Sequence, residues 1–79
     1  MKTIDVLDLS GGKVEVKNFA AKLETVDWGS YRGQEVQIKG CAPTWAHLLV
    51  AGRLFGLAAK VEFLLDDRAG AVPIEIFKA

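Results

Sequence analysis

A strand, a helix and a second strand follow one another in the middle of the sequence, and this run constrains the fold more than any other feature. Residues 35–39 alternate polar and apolar side chains, as a half-buried strand does. Pro43-Thr44 then opens a predicted helix that runs to about residue 57, because proline suits the start of a helix and Thr44 is a competent N-cap. Residues 60–65 form the next strand. Strands joined in this way are parallel, and the crossover is right-handed in about 98% of cases.

A hairpin is predicted at the start of the sequence. Residues 13–19 alternate apolar and polar side chains, residues 4–9 do so with a change of phase after Val6, and Ser10-Gly11-Gly12 lies between the two segments. Glycine accepts positive φ, so this tripeptide is typical of a hairpin turn. A short helix is expected over residues 20–26, with Asn18 as its N-cap.

A turn and an edge strand complete the predicted sheet. Residues 66–70 make the turn and residues 71–77 the strand, in which Val72, Ile74 and Ile76 are expected to face inward. Pro73 cannot donate a hydrogen bond to a neighbouring strand, so this strand is expected at an edge. The element order β-β-(α)-β-α-β-β predicts a single α+β domain over residues 1–79, a two-layer α/β sandwich with a mixed sheet.

Composition excludes several classes of protein. The formal net charge is zero, which argues against a protein that binds nucleic acid or anionic lipid through bulk electrostatics. The most apolar stretch, residues 45–65, contains charged side chains, so no transmembrane span is expected. The single cysteine, Cys41, permits no internal disulfide, and the first residues show no signal-peptide pattern, so a cytoplasmic location is expected.

The apolar content of so short a chain predicts association. Apolar residues make up 51% of 79 residues, yet a domain of this size buries a small core and usually needs a disulfide, a metal or a partner chain. One stripe of the predicted helix is apolar and is typical of a core or an interface. Its members are Trp45, Leu48, Leu49, Gly52 and Phe55. A homodimer or a higher homo-oligomer is therefore expected.

A ligand site is predicted at one edge of the sheet. In parallel β-α-β units, ligands gather at the carboxyl ends of the strands, beside the N-terminus of the helix. Residues 40–44 and 66–70 follow the two parallel strands, so they are expected at the same edge. The free N–H groups of the helix, together with Thr44 and Arg68, suit a phosphate. The alternative is a helix cap and a turn whose Asp and Gly residues serve backbone geometry alone.

Several further side chains have both a functional and a structural interpretation. His47, one turn inside the helix, is either a proton-transfer group or an ordinary packed histidine. Trp45 could stack on a nucleobase or belong to the apolar stripe. Asp66 and Asp67 could hold a divalent cation, although adjacent carboxylates in a turn are weak evidence for one. Cys41 has no second ligand at zinc spacing, so no metal site is expected from the residues.

Two segments of the chain resemble a known family. Residues 36–47, VQIKGCAPTWAH, and residues 66–72, DDRAGAV, with an apolar strand between them, are similar to the short Csx-type ring nucleases of type III CRISPR systems. The resemblance covers residues 34–76. It implies a CRISPR-associated protein of antiviral defence that binds cyclic tetra-adenylate, a cyclic oligoadenylate messenger, and in active members cleaves it. It also implies a homodimer that can stack to sandwich the ring, and it allows a Mn²⁺ requirement.

The resemblance assigns roles to the residues that match the motifs. The loop and the helix start would hold the ligand, Arg68 would face the phosphodiester, and His47 or Asp66 would move a proton. The implied catalytic set is His47, Asp66 and Arg68, and the implied ligand-binding set is Gly40, Pro43, Thr44, Trp45 and Gly70.

Three departures from the family pattern bear on activity. The second half of the helix lacks the histidine cluster that family members usually carry, and residues 76–79 hold no Ser-His pair of the kind that commonly follows the last strand. Asp67 stands where the family has proline. The alternative function is therefore a protein that sequesters the messenger without cleaving it, or a non-catalytic dimeric interaction module with the same fold.

Overall fold

A computed structural model describes residues 1–67 and 70–79, and of residues 66 and 67 it describes the backbone. The class is α+β with a mixed sheet, as predicted. Within the described part of the chain, no helix combines the length and the apolar character needed to cross a membrane. The elements in chain order are β1 Lys2–Asp5, α1 Val6–Leu9, α2 Val16–Leu23, a 3₁₀ helix Trp28–Tyr31, β2 Glu35–Lys39, α3 Thr44–Leu54, β3 Lys60–Asp67 and β4 Gly70–Lys78.

The described strands lie side by side in the order β1-β2-β3-β4. β1 is parallel to β2, and β2 is parallel to β3 with Val36 opposite Val61, whereas β4 runs antiparallel to β3. The predicted parallel β-α-β unit is thereby confirmed, with α3 as its helix. β4 lies at an edge of the sheet, which agrees with the position of Pro73 in it.

The predicted first hairpin is wrong, because the chain enters a helix where the first strand is expected to continue. β1 ends at Asp5, whose Oδ1 accepts a hydrogen bond from the Asp8 N–H at 3.1 Å and so caps α1. The glycines that follow end this helix: the Gly12 N–H donates to the Leu7 carbonyl at 2.9 Å, and φ at Gly12 is +92°. A helix C-terminus and a hairpin turn both favour positive φ, so the same glycines are typical of either.

The second predicted strand, residues 13–19, is also wrong, since Val16–Leu23 forms α2. Phe19 and Leu23, four residues apart, are buried on one face of this helix, while Val16 is exposed. Burial at helical spacing therefore outweighs the short alternation of apolar and polar residues. The helix expected over residues 20–26 begins earlier, and Asn18 lies inside α2 instead of capping it, with its Nδ2 donating to Glu15 Oε2 at 3.3 Å.

The core lies between the helices and one face of the sheet. Alternate residues of the strands point into it, and the facing sides of α2 and α3 complete it. The largest fully buried side chains are Phe19, Leu23, Ile38, Leu54, Val6, Val36, Val50 and Val61. The other face of the sheet carries polar side chains, among them Gln37 and Glu62, which are joined by a hydrogen bond of 3.3 Å. The two layers are those of the predicted sandwich.

The apolar side chains of β4 are not buried, contrary to the inward packing predicted for them. Val72, Ile74 and Ile76 are 45%, 42% and 41% exposed. The reason is their position: β4 is an edge strand, and α3 packs chiefly on β2, nearer the middle of the sheet.

Candidate functional site

An open cavity of about 600 Å³ lies at the carboxyl ends of β1, β2 and β3, beside the start of α3. Small-molecule sites usually have volumes of about 300–1,000 Å³. The position is the one that the parallel topology predicts for a ligand. Polar groups reach the cavity from Asp5, Lys39, Gly40, Cys41 and His47, and the ring of Phe63 forms an apolar part of the wall.

Gly40 lets the loop after β2 approach the junction of β1 and α1. Its φ is +115°, in the region that favours glycine. A Cβ at this position would lie 2.6 Å from Asp5 Oδ1 and 3.0 Å from the Val6 backbone nitrogen. Glycine is therefore required here both by the backbone conformation and by the close packing of the neighbouring chain.

His47 joins α3 to this loop. Its Nε2 lies 3.0 Å from the Gly40 carbonyl oxygen, and since a carbonyl only accepts, Nε2 carries the proton and donates. In the neutral ring Nδ1 is then the unprotonated nitrogen. The edge of the ring meets Phe63, with the ring centroids 5.1 Å apart. His47 is thus a packed histidine, and at the same time it stands in the cavity wall with Nδ1 as its basic atom.

The start of α3 differs by one residue from the prediction. Pro43 occupies the N-cap position and Thr44 is the first helical residue, so Thr44 is not the cap. The Pro43 carbonyl accepts the Ala46 N–H at 3.0 Å. Trp45 packs edge-on against Phe19 with the ring centroids 5.7 Å apart, and it is not among the residues that line the cavity. Its structural interpretation, contact between α3 and α2, is the one that the fold supports.

The second motif reaches the same edge of the sheet. Leu65 near the end of β3 and Ala71 near the start of β4 both line the cavity, and Asp66 pairs with Ala71 across the two strands. Gly70 opens β4 opposite Asp67, with φ of +118°. The side chain of Asp66 and the whole of Arg68, both predicted site residues, lie outside the part of the molecule that the structure describes.

Two polar residues of the cavity escape the sequence prediction. Asp5 and Lys39 are directly opposite each other in the β1–β2 pairing, at the carboxyl ends of both strands. The sequence prediction misses them because the predicted hairpin continues the first strand past Asp5, so that Asp5 is not expected at the end of a strand beside Lys39. The signal that could have found Asp5 is its spacing to Asp8, since Asp is a favoured N-cap residue for a helix that begins directly after it.

The side chains described at the cavity do not by themselves form a metal centre. Among residues 1–65 and 70–79, no group of three or more His, Cys, Asp or Glu side chains stands within reach of one ion. The Mn²⁺ that the resemblance allows therefore has no complete ligand set in this part of the molecule.

The fold and the cavity together define a small α+β protein with a candidate ligand site at the carboxyl edge of its sheet. Comparisons of the chain with models of protein families, with curated proteins and with solved structures find no match. The similarity to ring nucleases thus rests on the two sequence motifs.

Proposed function

We propose that this protein binds cyclic tetra-adenylate in the cavity at the carboxyl edge of the sheet. One observation carries the proposal: the two segments on which the resemblance rests, far apart in sequence, reach the same cavity, the first through Gly40 and His47 and the second through Ala71. The proposal implies a cytoplasmic location, since the messenger of type III CRISPR defence acts in that compartment.

The groups around the cavity suit a phosphodiester. The loop that lines the cavity at residues 40–42 leads into α3. The first N–H groups of that helix, those of Thr44 and Trp45, have no intrahelical acceptor and carry the partial positive charge of a helix N-terminus, although neither residue lines the cavity. Lys39 adds a cationic side chain at the rim. Arg68, supplied by the second motif, can contact two phosphate oxygens at once. A few local donors of this kind can hold a small anionic ring although the protein has no net charge.

The size of the cavity favours a ligand shared between copies. A volume of about 600 Å³ suits a drug-sized ligand, and a ring of four nucleotides is larger than that. One chain would therefore enclose part of the ring, and the rest would contact another copy. This agrees with the homodimer or higher homo-oligomer expected from composition.

Cleavage of the ring would need little covalent chemistry from the protein. A ribose 2′-hydroxyl attacks the adjacent phosphorus, the 5′-oxygen leaves with a proton, and a 2′,3′-cyclic phosphate remains. Holding the attacking and leaving oxygens in line can contribute about 7–11 kcal/mol. Proton transfer would fall to His47 Nδ1, because Nε2 is bound to the Gly40 carbonyl, or to Asp66. With no histidine cluster on α3, binding without turnover is the alternative outcome.

Calorimetry with cyclic tetra-adenylate tests the binding. We expect micromolar or tighter affinity for the wild-type protein and at least a tenfold loss for Arg68→Ala, because charge-assisted bonds to phosphate contribute about 1.5–3 kcal/mol. Arg53→Ala is the matched control, since Arg53 pairs with Glu24 on the surface of α3 and takes no part in the cavity. No heat and no thermal shift with the wild-type protein would contradict the proposal.

Cleavage is measured separately by chromatography of the ring after incubation with Mn²⁺ or with EDTA. An active protein converts the ring to linear product, and we expect His47→Ala to slow this conversion at least a hundredfold if His47 transfers the proton. Conversion at the wild-type rate by His47→Ala would remove His47 from the mechanism. An intact ring in every sample, with binding retained, would identify a sequestering protein.

A further inference from the structure

A groove of about 250 Å³ lies between α3 and the sheet and adjoins the cavity. Both are lined by His47 and Phe63, so these two side chains form a shared wall. The other residues that line the groove are Ile38, Thr44, Leu48, Ala51 and Ile76. The cavity therefore offers polar groups to a ligand, and the adjoining groove offers mainly apolar ones.

This division matches the two parts of a nucleotide. A phosphate binds to cations and N–H donors, whereas a base buries flat apolar surface and forms a few hydrogen bonds at its edge. Small-molecule sites usually have volumes of about 300–1,000 Å³, so the groove suits one part of a ligand rather than a whole ligand. A base seated in the groove would leave its phosphate at the cavity.

His47 presents a hydrogen-bond acceptor at the shared wall. Its Nε2 donates to the Gly40 carbonyl at 3.0 Å, which leaves Nδ1 of the neutral ring without a proton. The Phe63 ring meets the imidazole edge-on, with 72° between the two ring planes, and so limits its rotation. Within residues 1–65 and 70–79, no group is hydrogen-bonded to Nδ1. The imidazole is thus held in one tautomer, with an acceptor available to a ligand.

Thr44 supplies a donor beside this acceptor. Residues three apart share a face of a helix, and the side chains of Thr44 and His47 both line the groove. The Thr44 hydroxyl can donate a hydrogen bond, whereas Nδ1 can only accept one. One face of α3 therefore offers a donor and an acceptor to whatever occupies the groove.

The pair is complementary to one edge of adenine. Adenine has the N6 amino group, a donor, next to the acceptor N7, whereas guanine and hypoxanthine have an acceptor, O6, in place of the amino group. We propose that one adenine of the ring occupies the groove, with N6–H donating to His47 Nδ1 and N7 accepting from Thr44. An oxo group at the same place faces Nδ1 as a second acceptor, and neither is satisfied.

The subsite makes His47 the residue that selects the base. This step rests on the proposed function and deepens it, because it explains which base the ring must carry. It also bears on cleavage: a nitrogen that accepts a hydrogen bond from the base cannot at the same time remove a proton from a ribose hydroxyl. Of the two candidate groups for proton transfer, Asp66 then remains.

Calorimetry with two rings tests the subsite. Cyclic tetra-adenylate and cyclic tetra-inosinate differ at positions 1 and 6 of the base and share N7 and the phosphates. We expect the wild-type protein to bind the adenine ring at least tenfold more tightly. In His47→Gln the amide nitrogen can still donate to the Gly40 carbonyl, but nothing replaces Nδ1, so the two affinities should agree within about threefold.

Leu49→Gln is the matched control for that variant. Leu49 lies on the same helix, is 44% exposed and lines neither the cavity nor the groove, so the full preference for adenine should remain. Thr44→Val locates the base independently. The variant removes the hydroxyl and keeps the shape, and because N7 is common to both rings, both affinities should fall by a similar factor of about three or more. Far-ultraviolet circular dichroism verifies that the variants are folded.

Three results would overturn the subsite. They are equal binding of the two rings by the wild-type protein, a full preference for adenine in His47→Gln, and unchanged affinities in Thr44→Val. Failure of the proposed function gives a different result, since neither ring then produces heat with the wild-type protein. Equal binding of both rings overturns the subsite alone.

Discussion

At the scale of single residues, Gly40 has the most demanding surroundings of any position at the cavity. Its positive φ directs the loop from β2 towards the start of α1, and its missing side chain leaves room for the backbone nitrogens of Val6 and Leu7. The carbonyl oxygen of the same residue accepts a hydrogen bond from His47 Nε2. One glycine thus determines the path of the loop, the position of the imidazole and the shape of the cavity mouth.

Replacing Gly40 should destabilise the protein. In Gly40→Ala the new Cβ would lie 2.6 Å from Asp5 Oδ1 and 3.0 Å from the Val6 backbone nitrogen, at a φ that alanine disfavours. We expect the free energy of unfolding to fall by about 1–3 kcal/mol, measured by urea denaturation. Gly52→Ala is the matched control: Gly52 lies within α3 with open space beside it, so stability should rise by about 0.5–1 kcal/mol. Equal effects at both positions would contradict this account.

A second residue-scale feature is the ion pair on the polar face of the sheet. Lys60 Nζ lies 3.1 Å from Glu62 Oε2, and the two side chains are 29% and 14% exposed. The hydrogen bond with Glu62 raises the pKa of Lys60 above its ordinary 10.5. The same bond, aided by Gln37, holds the pKa of Glu62 below its ordinary 4.5.

These shifts predict how stability depends on pH. The stabilisation that Glu62 adds to the free energy of unfolding is complete above its unfolded pKa of 4.5, and it is lost as the pH falls through its lower folded pKa. The stabilisation that Lys60 adds is complete below its unfolded pKa of 10.5, and it is lost as the pH rises through its higher folded pKa. We expect Glu62→Gln to lose less stability than the wild-type protein between pH 5 and pH 3, measured by urea midpoints. Parallel curves for the two proteins would show that the pair makes no such contribution.

At the scale of elements, the contact between α2 and α3 has a clear anchor. Phe19 of α2 is 1% exposed and meets the ring of Trp45 edge-on. We expect Phe19→Ala to lower the free energy of unfolding by about 3–5 kcal/mol, through lost burial and a new cavity. Val16→Ala on the exposed side of the same helix should change it by at most about 0.5 kcal/mol. A small effect of Phe19→Ala in thermal and urea unfolding would mean that α2 contributes little to the core.

The elements that the sequence predicts correctly are those whose signals agree with one another. In the run from β2 through α3 to β3, the alternation of residues 35–39, the proline at the helix start and the apolar residues of the next strand all favour one arrangement. Residues 4–19 offer conflicting signals. Gly11 and Gly12 suit a hairpin or a helix end equally, and Val14 and Val16 alternate like a strand although Phe19 and Leu23 are spaced for a helix.

The candidate site was predictable to the extent that it belongs to that run. The edge of the sheet, the loop at Gly40 and the position of His47 follow from the parallel crossover alone. Asp5 and Lys39 could not be placed, because their contribution depends on β1 lying parallel to β2. Whether Pro43 or Thr44 is the N-cap depends on a shift of one residue, for which the sequence has no local signal. The role of Trp45 depends on the packing of α2 against it, which also has no local signal.

At the scale of the whole molecule, the sheet separates two kinds of surface. One face is polar and carries charged pairs, while the other is covered by helices over β2 and open over β4. The apolar excess seen in the composition is therefore divided between a core and an exposed face at one side of the molecule. Concentration-dependent association is the physical expectation for such a surface.

The parallel pairing of β1 with β2 also determines when the sheet can form during synthesis. Lys2 lies opposite Val36 and Asp5 opposite Lys39, so β1 has no partner strand until the ribosome has added those residues. At about 5–20 residues per second, the first strand waits roughly 2–7 s for the second. Val61 of β3 is also part of the core, so the hydrophobic interior closes only after that residue is made. Until then, the apolar side chains of β1 cannot be buried between the sheet and the helices.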